Sequence, residues 1–562
     1  MNSIKENERA DVIVLGGGLA GLTLAIQLRQ ARPDTSVVVL ERGRPPFPDA
    51  AFKIGESTVE IGGQYLVRLL GEDYLERHQI RKSGPRFYFP SQRNEDITTR
   101  LEYGTTDFLP IHSYQIDRGR LENELWARAR EHGADVREAC KVLEVTLAEG
   151  DALHEVAYER GGERRVLQGR WVVDATGRAG LLKRKLGLER PSPHKAGAAW
   201  WRIQAKTDVN TWSSSEQWRG LAPNGHRYRA TSHLMGDGYW VWIIPLPSGG
   251  SSFGIVAHPD YHRFNDYRTF DRALNWLRQH EPQCAQVIES QRHQLLDFAA
   301  IRHYSYGAER VFSPQRWALV GEAGVFIDPF LSPGTDFIAI GNTMVTTMVC
   351  KQLDGEPYAH YVEFANATYL QLYQLLLPWF EALYPTLGRK QAMVLWVAWY
   401  FAMYMSIPAT LFLHDRIANM EFMSTMQGEI GRLAQLAARG IALLKEFGDR
   451  FDEPDAARFV NLSALEHLIA LQRELCGANA EKLDDEGVRA LVHRNLEMLE
   501  ATLIEYFDRI AAALEIHPGT RNINPYAVSL DPERWAEDGL EHTHDARRED
   551  VASSIRALWY SS

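Results

Sequence analysis

Several groups of residues in this 562-residue chain have the types and spacing to do chemistry. GGGLAG at 16–21 places glycines at Gly16, Gly18 and Gly21, a spacing that lets a phosphate approach backbone N–H groups at the start of a helix. Glu41 lies twenty residues further on, where a carboxylate accepts from ribose hydroxyls. Trp240 and Trp242 stand two apart in WVWIIP (240–245), so in a strand both indoles point to one face. FIDPFLSPG (326–334) is a loop running into a helix expected to begin near Phe337, and successive N–H groups there can cradle a small anion. Two lysines flank glycine turns: Lys53 precedes Gly55-Glu56-Ser57, and Lys82 precedes Gly84 and the aromatic stretch 86–89. A buried amine of this kind donates hydrogen bonds from a point charge, and its pKa responds to burial. No metal-ligand cluster stands out, His542 and His544 falling in a polar tail, and no Ser-His-Asp framework is apparent.

The elements that must position these residues are legible around the glycines. Residues 11–15 (DVIVL) read as a buried parallel strand, 19–29 as a helix and 36–40 as a second strand ending at Glu41. Strand, turn, helix, strand and terminal acid in that order specify a dinucleotide site for NAD or FAD. Alternating strands such as 239–245 and 252–257 follow, and beyond Lys351 the pattern is helical, with amphipathic runs at 360–377, 421–447, 461–475 and 486–514.

Composition sets the outer limits. A hydrophobic content of 45% and a charged content of 24% suit a globular protein of two or three domains. The net charge of −11 argues against a nucleic-acid partner. Cys140, Cys284, Cys350 and Cys476 are widely spaced, as expected of reduced thiols in the cytoplasm. The polar opening MNSIKENERA has no signal-peptide core, so no export is indicated. Residues 392–413 carry no charge and are long enough to span a bilayer. Trp396, Trp399, Tyr400 and Tyr404 fall mid-segment and Pro408 interrupts it, which favours a buried, pocket-lining helix over a membrane contact.

Three segments resemble the para-hydroxybenzoate hydroxylase superfamily and imply FAD as the dinucleotide. They are YQIDR at 114–118, whose Arg118 would approach the cofactor, WVVDATG ending at Gly177, and WALVGEAG at 317–324, with Glu322 where that superfamily has aspartate. FKIGESTVE (52–60), RKSGPRFYF (81–89), WVWIIP and FIDPFLSPG together resemble the flavin-dependent halogenases, matching WxWxIP in full and FxxPxxSxG at every fixed position.

That resemblance implies FADH2 from a separate flavin reductase, because no second nucleotide fingerprint is present, and a halide, chloride or bromide, oxidised to hypohalous acid. It assigns Lys82 as the catalytic lysine carrying the halogen, and Trp240 and Trp242 as the barrier between flavin and substrate. It assigns FAD to Gly16, Gly18, Leu19, Ala20, Gly21, Glu41, Arg42, Lys53, Glu56, Ser57, Arg118, Gly177, Glu322, Pro329 and Gly334. Halide would be held by the amides of Gly334 and Thr335, since Pro333 lacks an N–H where tryptophan halogenases have threonine. Those enzymes also carry a glutamate where this chain has Leu331, which points to a small phenolic substrate of the phloroglucinol type, free or tethered to a carrier protein, with Asp336 as a substitute acid. Trp379, Trp396, Trp399, Tyr400 and Tyr404 would supply its walls. Competing readings are a single-component aromatic hydroxylase and a membrane-surface flavoprotein acting on a lipid. The expected fold is α/β: a Rossmann-like FAD-binding domain (1–190 and 296–352), an inserted antiparallel substrate sheet (191–295) and a helical C-terminal region (353–562).

Overall fold

The computed structural model describes residues 8–50, 53–451, 457–476, 483–519, 522–541 and 546–559; His542 and His544 lie outside them. The chain divides into two units. The first comprises 8–79, Ile116–His194 and Ser305–Leu376. Its eight-stranded sheet runs, in order, Phe312–Ser313, Trp317–Leu319, Glu163–Asp174, Glu8–Leu15, Val37–Leu40 and Asp135–Arg137, with Cys140–Thr146 and His154–Arg160 added antiparallel. Val12 to Leu15 are buried without alternation because they form an interior parallel strand, pairing Val12 with Val37 on one side and Trp171 on the other. The helix Leu19–Ala31 follows the glycine turn, and Glu60–Leu70, Arg118–Glu131, Gly334–Leu353 and most of Ala359–Leu383 are among the unit's other helices. Gly62 lets Glu60–Leu70 meet Gly334–Leu353 closely: a Cβ there would lie 2.7 Å from Thr335 Cβ.

The second unit comprises Ile80–Gln115, Lys195–Tyr304 and the described residues from Leu377 on. Its eight-stranded sheet runs Leu295–Ile301, Gly197–Ile203, Ser251–Ala257, Tyr239–Pro245, Ala230–Gly236, Gly84–Tyr88, Leu101–Gly104 and Arg458–Asn461. It therefore extends beyond the expected 191–295. Gly84–Tyr88 pairs in parallel with Ala230–Gly236, and Arg458–Asn461 pairs in parallel with Leu101–Gly104. Parallel pairing joins segments distant in sequence, which no local pattern reports. One face of this sheet packs on the helices Phe270–His280 and Pro282–Ser290. Tyr239, Val241, Ile243, Leu234, Tyr88 and Phe253 meet Leu274, Trp276, Leu277 and Ile288 in a single core.

The C-terminal helices include Lys390–Tyr404, Gln427–Arg450, Glu466–Cys476 and Asp485–Ala513. The run expected over 421–447 is broken at Met426 into Met420–Thr425 and Gln427–Arg450, and 461–475 opens with a strand end and a turn before its helix. Lys390–Leu413 forms one apolar helical stretch with a π turn over Met405–Ala409, where Pro408 removes a backbone donor. It is long and apolar enough to cross a membrane, but 78% of its most apolar window is buried within the protein. Trp399 lies on Gly440 of Gln427–Arg450, where a Cβ would come within 2.3 Å of its Nε1.

Candidate active site

In the first unit the glycine turn closes only around glycine. Gly16 has φ +105° and a Cβ on it would lie 2.5 Å from Ala175 O; on Gly21 it would lie 2.0 Å from Gly16 O. Gly18 differs: a Cβ there meets nothing nearer than Glu122 Oε1 at 4.0 Å, so the turn is open on that side. Gly18 caps the Leu19–Ala31 helix without a side-chain hydrogen bond. The first-turn N–H groups, those of Leu19, Ala20 and Gly21, have no partner within the helix, and its dipole favours an anion. Glu41 accepts the N–H groups of Gly17 and Gly43, both at 2.7 Å, so the carboxylate is fixed at the strand end. Arg42 is exposed on the next turn.

Arg118 ties the GES loop to its own helix. It donates to Glu122 Oε1 at 2.7 Å and to the Ile54 carbonyl, while Lys53 pairs with the other oxygen of the fully buried Glu122. Ile116 N–H donates to Glu56 O at 2.9 Å, and the side chains of Glu56 and Ser57 are buried. Arg118 Nε remains buried with no hydrogen-bond partner among the described residues. Gly177, at φ +60°, lies in a turn organised by Asp174, which accepts from Thr176 N–H (3.0 Å), Thr176 Oγ1 (2.6 Å) and Leu182 N–H (2.7 Å). Glu322 lies in the turn Gly321–Ala323; burial raises its pKa, and the charges of Arg178, Arg118 and Lys183 oppose that rise. Lys183 donates to Gly324 O at 2.8 Å beneath the Tyr306 ring, and burial brings its pKa down to about 8.

The loop after Pro329 carries two consecutive left-handed residues, Leu331 (φ 58°) and Ser332 (φ 56°). Outside glycine each costs ~1–2 kcal/mol, so the neighbours must hold the turn. Ser332 N–H closes it onto Pro329 O at 3.1 Å. The next helix starts at Gly334 rather than near Phe337, because Pro333 serves as its cap and Asp336 suits the positive end of the dipole. Gly334 and Thr335 thus open the helix, and a Cβ on Gly334 would meet nothing within 4 Å. Asp336 is buried and accepts Gly62 N–H at 2.8 Å, so its carboxylate fastens two helices together.

In the second unit the alternation of Tyr239–Pro245 turns Trp240 and Trp242 away from the hydrophobic core. Their rings are 5.7 Å apart. His233, cross-strand from Trp242, and Phe87, cross-strand from His233, share that face. His233 stacks on Phe87 at 4.6 Å and lies 5.6 Å from Trp240. Trp242 donates to Ser252 Oγ at 3.1 Å and lies flat over Gly254, where a Cβ would fall 2.2 Å from the ring. Trp240 donates to Tyr384 Oη at 3.1 Å, and Tyr384 is hydrogen-bonded to Tyr304 at 2.9 Å. Lys82 is only 5% exposed; its N–H donates to Ser113 O at 2.8 Å. Burial, reinforced by the Lys82 charge, lowers the His233 pKa to about 3, while its Nδ1–H donates to Arg86 O at 3.2 Å. Trp379, Trp396 and Tyr400 cluster with rings 4.7 and 5.6 Å from Trp379, and Tyr404 stacks on Tyr400 at 6.2 Å. The N–H groups of Trp379, Trp396 and Trp399 are buried without partners among the described residues.

Residues 9–312 match the model of the family described as FAD binding domain, more than half of the chain. The chain belongs to that FAD-binding family. It is 26% identical over 366 residues to the flavin-dependent halogenase chlA of Dictyostelium discoideum, covering 60% of each protein. It thus spans about three fifths of that relative's length. It is 25% identical to a 1H-pyrrole-2-carbonyl-[peptidyl-carrier protein] chlorinase of Pseudomonas fluorescens over 60% of this chain and 74% of that one. Among solved structures, halogenase PltM in complex with phloroglucinol and FAD shares its fold, with TM-score 0.57 and 16% identity over 90% of this chain and 100% of that one.

The residues in hand fit FAD. The open side of Gly18, the unpartnered N–H groups of the first helical turn and the orphan Arg118 Nε are what a bound diphosphate and flavin would satisfy. Sequence reading did not single out Asp174, Lys183, His194, His233, Gly254 or the Tyr304–Tyr384 pair. Asp174 carries a signal inside WVVDATG; the others enter through cross-strand or long-range partners.

Proposed function

We propose that this protein is an FADH2-dependent halogenase that makes hypohalous acid from O2 and chloride or bromide and delivers it to an electron-rich phenolic ring. The observation carrying this reading is a lysine, Lys82, withdrawn to 5% exposure just ahead of the strand Gly84–Tyr88, whose Phe87 stacks on His233 against the paired indoles Trp240 and Trp242. Reduced FAD, when bound, supplies the activation of O2. In this reading the Gly18 side of the glycine turn, Glu41, Arg118 and Glu322 hold the cofactor, and the amides of Gly334 and Thr335 hold the halide. Trp240 and Trp242 keep the substrate ring from direct oxygen transfer. Lys82 donates a hydrogen bond to hypohalous acid, fixing the halogen and raising its electrophilicity.

Substrate class follows from what the site lacks. Leu331 offers no carboxylate, Asp336 accepts from Gly62 and Asp328 accepts from His194 and Phe330, so in this reading these acids serve the loop and the substrate activates its own ring. A phenolate activates its own ortho and para carbons. The phloroglucinol complex of a fold neighbour and the carrier-bound substrate of a relative both support a small electron-rich ring, free or tethered. The reductant would come from a separate flavin reductase, and the reading places the reaction in the cytoplasm.

The test supplies purified protein with FAD, a flavin reductase, O2 and either halide, and analyses products by mass spectrometry. Resorcinol or phloroglucinol should be halogenated, their methyl ethers should lose most of the rate, and tryptophan should be untouched. Lys82→Ala should keep FAD and still consume O2 while losing halogenated product. Robust product from that variant would move the role to Lys53, and equal rates on phenol and ether would overturn the phenolic reading.

A further inference from the structure

The strained turn ahead of Gly334 hangs from a clasp a few residues upstream. His194 Nε2–H donates to Asp328 Oδ2 at 2.6 Å, with both side chains at most 1% exposed. The other oxygen, Oδ1, accepts the N–H of Phe330 at 2.7 Å. One carboxylate therefore joins a histidine from a distant segment to the amide that leads into Leu331 and Ser332. That histidine's own segment is pinned to the same place. Glu189–Pro191 pairs antiparallel with Tyr306–Ala308, and Tyr306 and Phe326 exchange both backbone hydrogen bonds at 2.9 Å. Ser305 Oγ donates to Ser192 Oγ at 2.9 Å and to Phe326 O at 3.3 Å, and His194 N–H donates to Ser192 Oγ at 3.2 Å.

We propose that His194 is a positioning residue for halide binding: through Asp328 it holds the left-handed Leu331–Ser332 turn in the form that aims the Gly334 and Thr335 amides at the anion. The inference rests on the halide reading above. Two successive non-glycine residues at positive φ persist only where the surroundings over-determine them. Without the imidazole donor, the buried Asp328 carboxylate loses the hydrogen bond that its Oδ2 accepts. It must then draw in water or turn away from Phe330 N–H, and either change releases the turn. His194 is too enclosed to exchange protons with substrate, so its influence passes through loop geometry.

The FAD-loaded enzyme and its His194→Phe variant should be compared in halide titrations and, without turnover, by hydrogen exchange over residues 330–336. Phenylalanine fills the ring's space but donates nothing. The variant should hold full FAD, raise the apparent KM for chloride and bromide about tenfold, change kcat less than about twofold, and exchange faster over 330–336. His194→Gln, which restores an N–H donor, should recover most of the affinity. An unmoved halide KM, or a loss confined to kcat, would overturn the proposal. Should His194→Phe not fold, Asp328→Asn keeps an oxygen for Phe330 N–H while removing the charge; it must raise the halide KM too, and no rise overturns the proposal. If the wild type forms no halide-dependent product, the halogenase reading fails by itself. The exchange comparison then decides the clasp, with no difference between wild type and variant overturning it.

Discussion

Gly254 offers a test of the tryptophan face that changes no polar or catalytic group. In Gly254→Ala the added Cβ would lie 2.2 to 2.4 Å from three atoms of the Trp242 ring, against 3.4 Å or more for an ordinary contact. The indole must shift by more than about 1 Å, because the Gly254 backbone is fixed between Gly197–Ile203 and Tyr239–Pro245. Overpacking of this kind costs ~1–3 kcal/mol, and losing the Trp242–Ser252 hydrogen bond adds ~1–3 kcal/mol. Relief of glycine's backbone entropy returns ~0.5–1 kcal/mol. The net of roughly 1–5.5 kcal/mol, centred on ~3 kcal/mol, lies at or below the lower end of the ~5–15 kcal/mol of a typical domain, so the variant is expected to fold with Trp242 displaced. FAD content should match wild type, since the residues proposed to hold the cofactor belong to the first unit. Under turnover, halogenated product per O2 consumed should fall severalfold and hydrogen peroxide should rise to match. Unchanged coupling together with a stability loss below ~0.5 kcal/mol in urea would show that Trp242 is not held as described and would refute the reasoning.

Gly18→Leu should give colourless protein, because its side chain would fill the one open side of the glycine turn; a yellow, stoichiometrically loaded variant would place the diphosphate elsewhere. His233 gives a pH signature. Its folded pKa of about 3 lies below the ordinary 6.5, so the unfolded chain binds its proton first as pH falls. Its stabilising contribution is complete above pH 6.5 and is lost progressively toward pH 3, by at most ~5 kcal/mol. His233→Phe should flatten the acid limb of a urea-stability profile between those values, and an unchanged slope would show that the histidine is not buried neutral.

How much of this was legible in the sequence depends on the range of the interaction. The glycine turn, Glu41 and the Tyr239–Pro245 strand declare themselves because steric need and period-two alternation act over a few residues. Gly254 is one glycine in a strand until cross-strand pairing puts Trp242 on it, and His233 is one more polar residue until Phe87 and Trp240 flank it. Residues 80–115 read naturally as a continuation of the cofactor domain, yet a parallel pairing with Ala230–Gly236 draws them into the second sheet. The helix begins at Gly334, three residues ahead of the start expected near Phe337, because Pro333 acts as its cap.

The second sheet buries several charges, and each is held by a fixed partner. On the core side Glu102 binds both Arg86 and Arg227, the latter stacked 3.5 Å over Trp218, and Arg100 pairs with Glu281; each of these charged side chains is at most 2% exposed. Such charges are tolerable only because every one has a fixed partner, and breaking one pair costs more than the pair contributes. On the opposite face the tryptophan strand and its neighbours present Phe87, His233, Trp240 and Trp242, and His233 is kept neutral. Farther along that face Arg202 and Asp297 form a buried ion pair of their own, so this side too holds its charge by a fixed partner. Alternation lets neighbouring residues of one strand serve separate faces: Tyr239, Val241 and Ile243 enter the core while Trp240 and Trp242 stay on the other side.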